Sequence, residues 1–437
     1  MAHGKLEFAG EFEILEAWII ASGERLNIES SIMGLTLLED MDLPFLHGEL
    51  SMYNTLSFAD QLPLIGEERL ELSLKTAEIT DAKIEFMGGK SFWIYQCVNR
   101  QHEGTLQTFT LKFCSPELAI NNNTTFSESI QGTDSEIISK ILNKHIPNTK
   151  QIEIEPTKDK KNLVFSRKHP FEAINQIKSN STSKQKQPGY YFFENLYGYQ
   201  FVNIERLEKG KVVWDYSIQG EGAATVIGKG LPTIELELHS ILKHKFNHPD
   251  RRTDLMTGVL GSKLIVHDIF NKQYRTKDYS YESNFSKEKH IGNAEVIPFA
   301  PPITGLKSDN SKSKIYYQPV SIKGGGGRGN NGLFTGSHKS PVSVDDIKLQ
   351  QKNSQRNQIE ESFNLEATVH GITGMTIGQL VDIKIPRPTE QQHDMDVFDT
   401  FYQGNFLIKR IQHQFLRSAM SHTMIMTLVK DSISKGS

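Results

Sequence analysis

The sequence predicts a mainly β protein interrupted by an α+β insertion, and three observations carry that prediction. Short segments alternate polar and apolar residues at period two on both sides of the insertion. Between about 116 and 215 the apolar spacing lengthens to three and four, the spacing of a helix face. Turn pairs such as Ser22-Gly23, Leu43-Pro44, Ile65-Gly66 and Gly88-Gly89 punctuate the alternating runs.

Residues 1–115 read as the first β domain. Arg69–Lys75, Ala82–Phe86 and Thr108–Phe113 each alternate, and many short strands at such spacing predict an antiparallel barrel or sandwich. Residues 116–215 form the α+β insertion. Thr133 with Glu136 predicts a capping box before Ile137, Ile138, Ile141 and Leu142, and Pro147 stops that helix. Pro170 suits the first position of a second helix carrying Phe171, Ile174 and Ile177. Strands are expected at Ile152–Ile154, Tyr190–Glu194 and Tyr199–Val202, with the aromatic run Tyr190–Phe193 expected in a core. Alternation resumes at Ile234–His239, Leu365–Val369, Val381–Ile385 and Thr423–Leu428, so a second β domain is expected in two parts, 216–260 and 364–431. Residues 261–363 between them are an excursion with a glycine run at 324–329 and a polar helix from Ser343 to Phe363, and 432–437 are a tail.

The chain has 437 residues, more than one hydrophobic core usually serves. It is 37% apolar and 23% charged, with a mean hydropathy of −0.43, a globular composition on the polar side. Its 49 basic and 52 acidic residues nearly balance, which argues against a dedicated duplex-DNA binder. Two cysteines, Cys97 and Cys114, exclude a disulfide framework or a zinc finger. Both lie on strand patterns and are expected to be buried structural thiols. The N-terminus shows no leader pattern and no apolar run reaches a membrane span, so synthesis and assembly in the cytoplasm are expected.

No residue is nominated as catalytic, cofactor-binding or metal-binding. The glycine run at 324–329 lacks the following Lys and Ser/Thr of a phosphate loop and reads as a flexible loop. His239, His244 and His248, beside Asp250, have the ligand types of a metal site but neither helical nor strand spacing, so surface and loop histidines are the preferred reading. Asp394, Asp396 and Asp399 lack the glycine and terminal glutamate of a calcium loop and read as an acidic hairpin loop; in a channel such carboxylates would repel DNA phosphates. No GxSxG occurs, and neither cysteine sits in a nucleophile motif.

Several stretches, in order, resemble the central hub family of contractile phage baseplates, whose relatives include the N-terminal half of type VI secretion spike proteins. They are Pro44–Leu50, Leu64–Leu72, Val164–Ser166, Pro170–Asn175, Gly189–Glu194 and Gly198–Phe201. Further on come Gly258–Leu264 with His267-Asp268, Tyr274, Tyr279 and Tyr281, then Gly404–Lys409 with His413, closing on Lys430–Ser432. The glycine-rich stretch at 324–336 and the polar helix after it match no element of that family.

The resemblance implies two tube-type antiparallel barrels per chain and a homotrimer whose six barrels form a pseudo-hexameric ring. Such a ring would join a tail tube or tube-initiator protein to a trimeric spike protein, contact baseplate wedge proteins and let double-stranded DNA pass without reading it. The resemblance implies no cofactor, no enzymatic activity and no membrane insertion by this chain, and a place in the virion tail after assembly in the host cytoplasm. Gly66 and Gly404 would serve hairpin bends, and Leu70, Leu72, Leu74, Met424, Met426 and Leu428 would fill barrel cores. A type VI spike would require an OB-fold and a needle after the hub module, and neither follows before Ser437. Another tail-tip β protein would lack the Pro170–Phe193 module, and a baseplate hydrolase would need a nucleophile or metal motif.

Overall fold

A computed structural model describes residues 7–54, 65–76, 82–103, 106–147, 149–158, 160–184, 187–218, 233–248, 261–268, 273–280, 290–291, 314–320, 363–385, 399 and 402–431. The glycine run, the polar helix expected before Phe363, Asp250, Asp394 and Asp396 lie outside the described residues.

Eight strands come first: β1 (Phe12–Ala21), β2 (Glu24–Asn27), β3 (Ile32–Asp40), β4 (His47–Tyr53), β5 (Arg69–Thr76), β6 (Lys83–Phe86), β7 (Phe92–Glu103) and β8 (Leu106–Cys114). The insertion follows: α1 (Pro116–Asn123), β9 (Phe126–Thr133), α2 (Asp134–His145), β10 (Gln151–Ile154), β11 (Lys160–Lys168), α3 (Pro170–Lys178), β12 (Tyr190–Asn195), β13 (Gly198–Asn203) and α4 (Ile204–Glu208). Then come β14 (Val212–Ile218), α5 (Thr233–Leu238) and β15 (Ser240–Asn247). The excursion contributes β16 (Gly261–Asp268), β17 (Gln273–Ser280) and β18 (Lys314–Val320), in one sheet of order β17–β16–β18. The last strands are β19 (Asn364–His370), β20 (Leu380–Lys384), β21 (Gly404–Leu416) and β22 (Ser421–Val429).

The two barrels share one hairpin. In the second, pairing runs β14–β20–β21–β22–β19–β15 and returns to β14, a closed circuit. In the first, it runs β1–β5–β7–β8–β4–β3 and continues from β3 onto β21. The strand β21 divides its edge: Gly404–Leu407 pair with β20, while Arg410–Leu416 pair with β3. A register shift between Ile408 and Arg410 marks the crossing. The first circuit closes where the segment before β1 meets β22: His422 N donates to Gly10 O at 2.7 Å, Phe12 N to Met420 O at 3.3 Å, and Glu11 bridges Ser421.

Alternation places the cores. Leu70, Leu72 and Leu74 are buried with Phe92, Phe113, Leu35 and Leu50 inside the first barrel. Met424, Met426 and Leu428 are buried with Val381, Ile383 and Phe406 inside the second. Each such side chain removed from water contributes roughly 1.5–3 kcal/mol. The insertion has its own core, Ile137, Ile138, Ile141, Ile174, Phe192 and Phe201 among its members. The capping box forms as expected: Thr133 Oγ1 accepts from Glu136 N at 3.3 Å, and Thr133 N donates to the Glu136 carboxylate at 2.9 Å. Pro170 opens α3, and Tyr190–Phe193 are all buried.

Three expectations are corrected. The alternation at Ile234–His239, expected as a strand, is helix α5 over Thr233–Leu238. The six residues Thr-Ile-Glu-Leu-Glu-Leu fit either period, and Glu and Leu are strong helix formers. The helix lies on a crossover that the topology requires: β14 pairs in parallel with both β15 and β20, so the second barrel is not purely antiparallel, and parallel neighbours need a crossover. Finally, β14 begins at Val212 and belongs to the second barrel's circuit, four residues ahead of the expected start at 216, while the hairpin assigned to the second part of that barrel serves both.

Candidate functional site: the junction between barrels and insertion

Glu39 lies near the end of β3 with no exposure to solvent, and its carboxylate collects three other segments. Oε1 accepts from Nε2 of His413, on β21, at 3.0 Å. Oε2 accepts from the Thr376 hydroxyl, in the β19–β20 connection, and from Leu196 N, in the β12–β13 turn, at 3.2 Å. First barrel, shared hairpin, second barrel and insertion therefore meet on one side chain. The chain of contacts continues: Nδ1 of His413 lies 3.1 Å from Nε2 of His422 on β22, and the His422 ring stacks on Phe415 with centroids 4.0 Å apart. Both histidines are fully buried. Burial, and then the neighbouring His413, hold the His422 pKa well below the usual imidazole range.

This network has the residue types of a proton relay, but its side chains Glu39, His413, His422 and Thr376 are all buried, so it is built to fix the angle between modules. It was legible only in part. His413 shares the inward phase of Ile411 and Phe415, and His422 that of Met424 and Met426, so two polar residues on an apolar phase were the available signal.

A second buried node ties the insertion to the first barrel. Lys150 Nζ lies 2.6 Å from both Glu117, on α1, and Glu194, on β12. Glu194 and Ser115 in turn accept from Leu46 N at 3.3 and 3.1 Å. Burial opposes the Lys150 charge, yet Glu194 and Glu117 outweigh it and raise its pKa; burial raises that of Glu194. One cation between two enclosed carboxyls is best matched when one carboxyl keeps its proton.

The residues singled out by sequence do not converge. His239 Nδ1 donates to Asp215 O at 2.6 Å and stacks on Trp214; His244 is exposed on β15; His248 packs near Phe363. Among the described residues no group of three or more His, Cys, Asp or Glu is arranged to hold a metal ion. Asp399 accepts from Tyr402 N at 3.2 Å within its own loop. Cys114 is buried and its thiol is pushed up to about 12 by burial, but Cys97 is exposed, against expectation. Register shifts on either side of it, at Ile94/Gln96 and Val98/Gln101, bend β7, and Tyr95, Gln96 and Cys97 all stand in solvent. Gly66 and Gly404 take positive φ values of 93° and 110°, which a glycine adopts without a Cβ clash; Gly404 is the first residue of β21 and pairs with Ile383 of β20.

One surface stands out at the second barrel. There β14 and β15 pair only at Ser217–Ser240 and Ile218–Ile241; Val212 and Val213, ahead of that closure on β14, are 41% and 43% exposed, and Leu242, just past it on β15, is 47% exposed. Leu242, Lys243, His244 and Lys245 are exposed in succession, so both faces of β15 stand in solvent here. Among the described residues no helix is long and apolar enough to cross a membrane.

No protein-family model matches the chain, and no curated protein matches it by sequence. Solved structures do match its fold. The 43 kDa tail protein of prophage MuSo2 from Shewanella oneidensis superposes with a TM-score of 0.54 at 10% identity, over 96% of this chain and 99% of that one. A tail protein from Neisseria meningitidis MC58 gives 0.54 at 8% identity, over 96% and 97%. The Francisella PdpA–VgrG complex also matches, with a TM-score of 0.48 at 10% identity, over 99% of this chain and 55% of its own. At such identities the likeness is one of fold, and the mainly β fold that the hub-family resemblance implied is the fold observed.

Proposed function

We propose that this chain is a non-enzymatic structural protein of a phage-type tail, and within it the central hub of the baseplate. The observation that carries the reading is that 96% of the chain, barrels and insertion together, matches a prophage tail protein and a second tail protein over 99% and 97% of their lengths. A single barrel could match many proteins; a pair fused through one hairpin with an α+β module between them is a much narrower arrangement. Two barrels per chain also have an assembly logic. Three copies present six barrels, which lets a three-fold ring face six-fold neighbours. The narrow closure between β14 and β15, flanked by exposed Val212, Val213 and Leu242, offers strand edges and apolar surface to a neighbouring copy.

In this reading the tail tube or its initiator stacks on one side of the ring and a trimeric spike on the other. Wedge proteins bind outside, and DNA crosses a bore whose chain-level charge of −3 gives it little to hold. The protein resides in the virion tail. Negative-stain microscopy of the purified chain, alone and with the products of neighbouring genes, tests the proposal. Three-fold rings with six lobes are expected. A chain that stays monomeric with every candidate partner overturns the hub assignment and leaves another tail-tip protein as the reading.

A further inference from the structure

The contact chain through Glu39 has a direction. A carboxylate only accepts, so Nε2 of His413 carries the hydrogen; in the neutral ring Nδ1 then accepts, and His422 donates to it from Nε2. Nδ1 of His422 is thereby left as a buried lone pair, and it has no hydrogen-bond partner. Phe415 covers one side of that ring. Gly371 lies so close to it that a methyl group there would overlap the ring atoms, which leaves no room for water.

The segment Ala9–Phe12 is strapped over the same place. Gly10 O accepts from His422 N, and a methyl group on Gly10 would lie 2.6 Å from His422 O. His370, on β19, faces Gly10 and hydrogen-bonds the backbone of Ala9. This strap is what returns the first barrel's circuit to β1.

Among the described residues, no acidic side chain is placed to meet a proton on Nδ1 of His422. From β3 comes Glu39, already occupied by His413, Thr376 and Leu196 N and separated from His422 by the His413 ring. From β21 comes His413 itself, from β19 His370, and from the β19–β20 connection only Thr376 and Gly371. The strap's own Glu11 accepts from Glu7 N at 2.8 Å in an exposed contact, and Glu237 of α5 lies toward His370. An imidazolium in that place gains hydration only if the strap or the Gly371 segment moves away.

We propose that the strap Ala9–Phe12 is an acid-released latch: protonation at His422, reinforced by His370, lifts it from the β21–β22 hairpin and opens the first barrel at that seam, while the Glu39–His413 bond keeps the modules joined. Burial lowers the pKa of both histidines, so the closed strap excludes the protons that the open one admits. An exposed imidazole titrates at 6.5, so release of His422 raises the population of the open form roughly twentyfold between pH 7 and pH 5, and His370 adds to the rise in the same direction.

Glutamyl endopeptidase, active across this range, reads the latch in the full-length chain. Cleavage after Glu11, within the strap, is measured against cleavage after Glu24 at the exposed β1–β2 turn. The ratio is expected to rise at least tenfold from pH 7 to pH 5. In His422→Gln, whose amide keeps the donor to His413 but does not titrate, the rise should shrink severalfold; His422→Phe, which keeps the stack on Phe415, serves if the glutamine variant fails to fold. A flat ratio in the unmodified chain overturns the proposal, and so does a rise that persists undiminished in the folded variant.

Discussion

Lys150 and Lys430 are both enclosed ammonium groups, and their surroundings give opposite predictions. Lys150 sits between Glu117 and Glu194 with 3% of its side chain exposed. Lys150→Met leaves two buried carboxyls without a cation and is expected to cost about 3–5 kcal/mol in urea unfolding, part of which Glu117→Gln in the same background should restore. Lys430 donates to Gln403 O at 2.6 Å above the Phe406 ring, and burial pulls its pKa down to about 8 against Asp431, Asp382 and Asp399. Its folded value lies below the unfolded 10.5, so the unfolded chain holds the extra proton between those two values and stability rises with pH across that window. Relative to Lys430→Met, the native chain should therefore gain on the order of 3 kcal/mol between pH 7.5 and pH 10.5, read from paired chemical denaturations. Neither lysine was legible as a buried charge. Sequence phase marks a side chain as inward-facing, but the partners that make the charge tolerable come from 33 and 44 residues away for Lys150.

Strand pairing at the scale of elements depends on a few positions where no side chain fits. On β4, Gly48 lies against Thr36 O and the Phe113 ring, both of which an added methyl would overlap, whereas Gly23 in the β1–β2 turn has open space around it. Gly48→Ala is expected to lower the melting temperature strongly and Gly23→Ala only by its positive φ of 86°, a cost of about 1 kcal/mol. Thermal melts of the two variants side by side check the ranking; equal losses would mean that β4 relaxes around the new group. Elements were mostly visible in advance where the pattern was long, as in Arg69–Lys75, Thr423–Leu428 and the capped helix at Thr133. Thr233–Leu238 was misread because six residues do not separate period two from period 3.6, and what decided it was a parallel pairing that no local pattern announces. Cys97 was misplaced for a related reason: bulges reset the phase of alternation, and nothing in Ile94–Gln101 signals where they fall.

At the scale of the whole molecule, the narrow β14–β15 closure makes a prediction separable from folding. Val213 and Leu242 are exposed in the single chain, so Val213→Glu with Leu242→Glu should leave the melting temperature within about 1–2 °C while abolishing higher-order species in sedimentation velocity. Retention of the assemblies would move the interface elsewhere. The two-barrel plan was legible from alternation plus resemblance, but the sharing of one hairpin between barrels was not, since both halves of β21 alternate alike and only the register with β20 and β3 distinguishes them.

That sharing also dictates an order of events during synthesis. Every other strand of both circuits leaves the ribosome before Gly404, and neither circuit can close until β21 and β22 arrive. Unlike a chain of independent domains, which folds piece by piece from its N-terminus, this one must hold the first barrel open from Cys114 and the second from Val212 onward until Gly404 and the hairpin arrive. A ribosome that stalls before the hairpin releases a chain with both barrels unclosed, so completeness is verified by folding itself before any copy can join a larger particle.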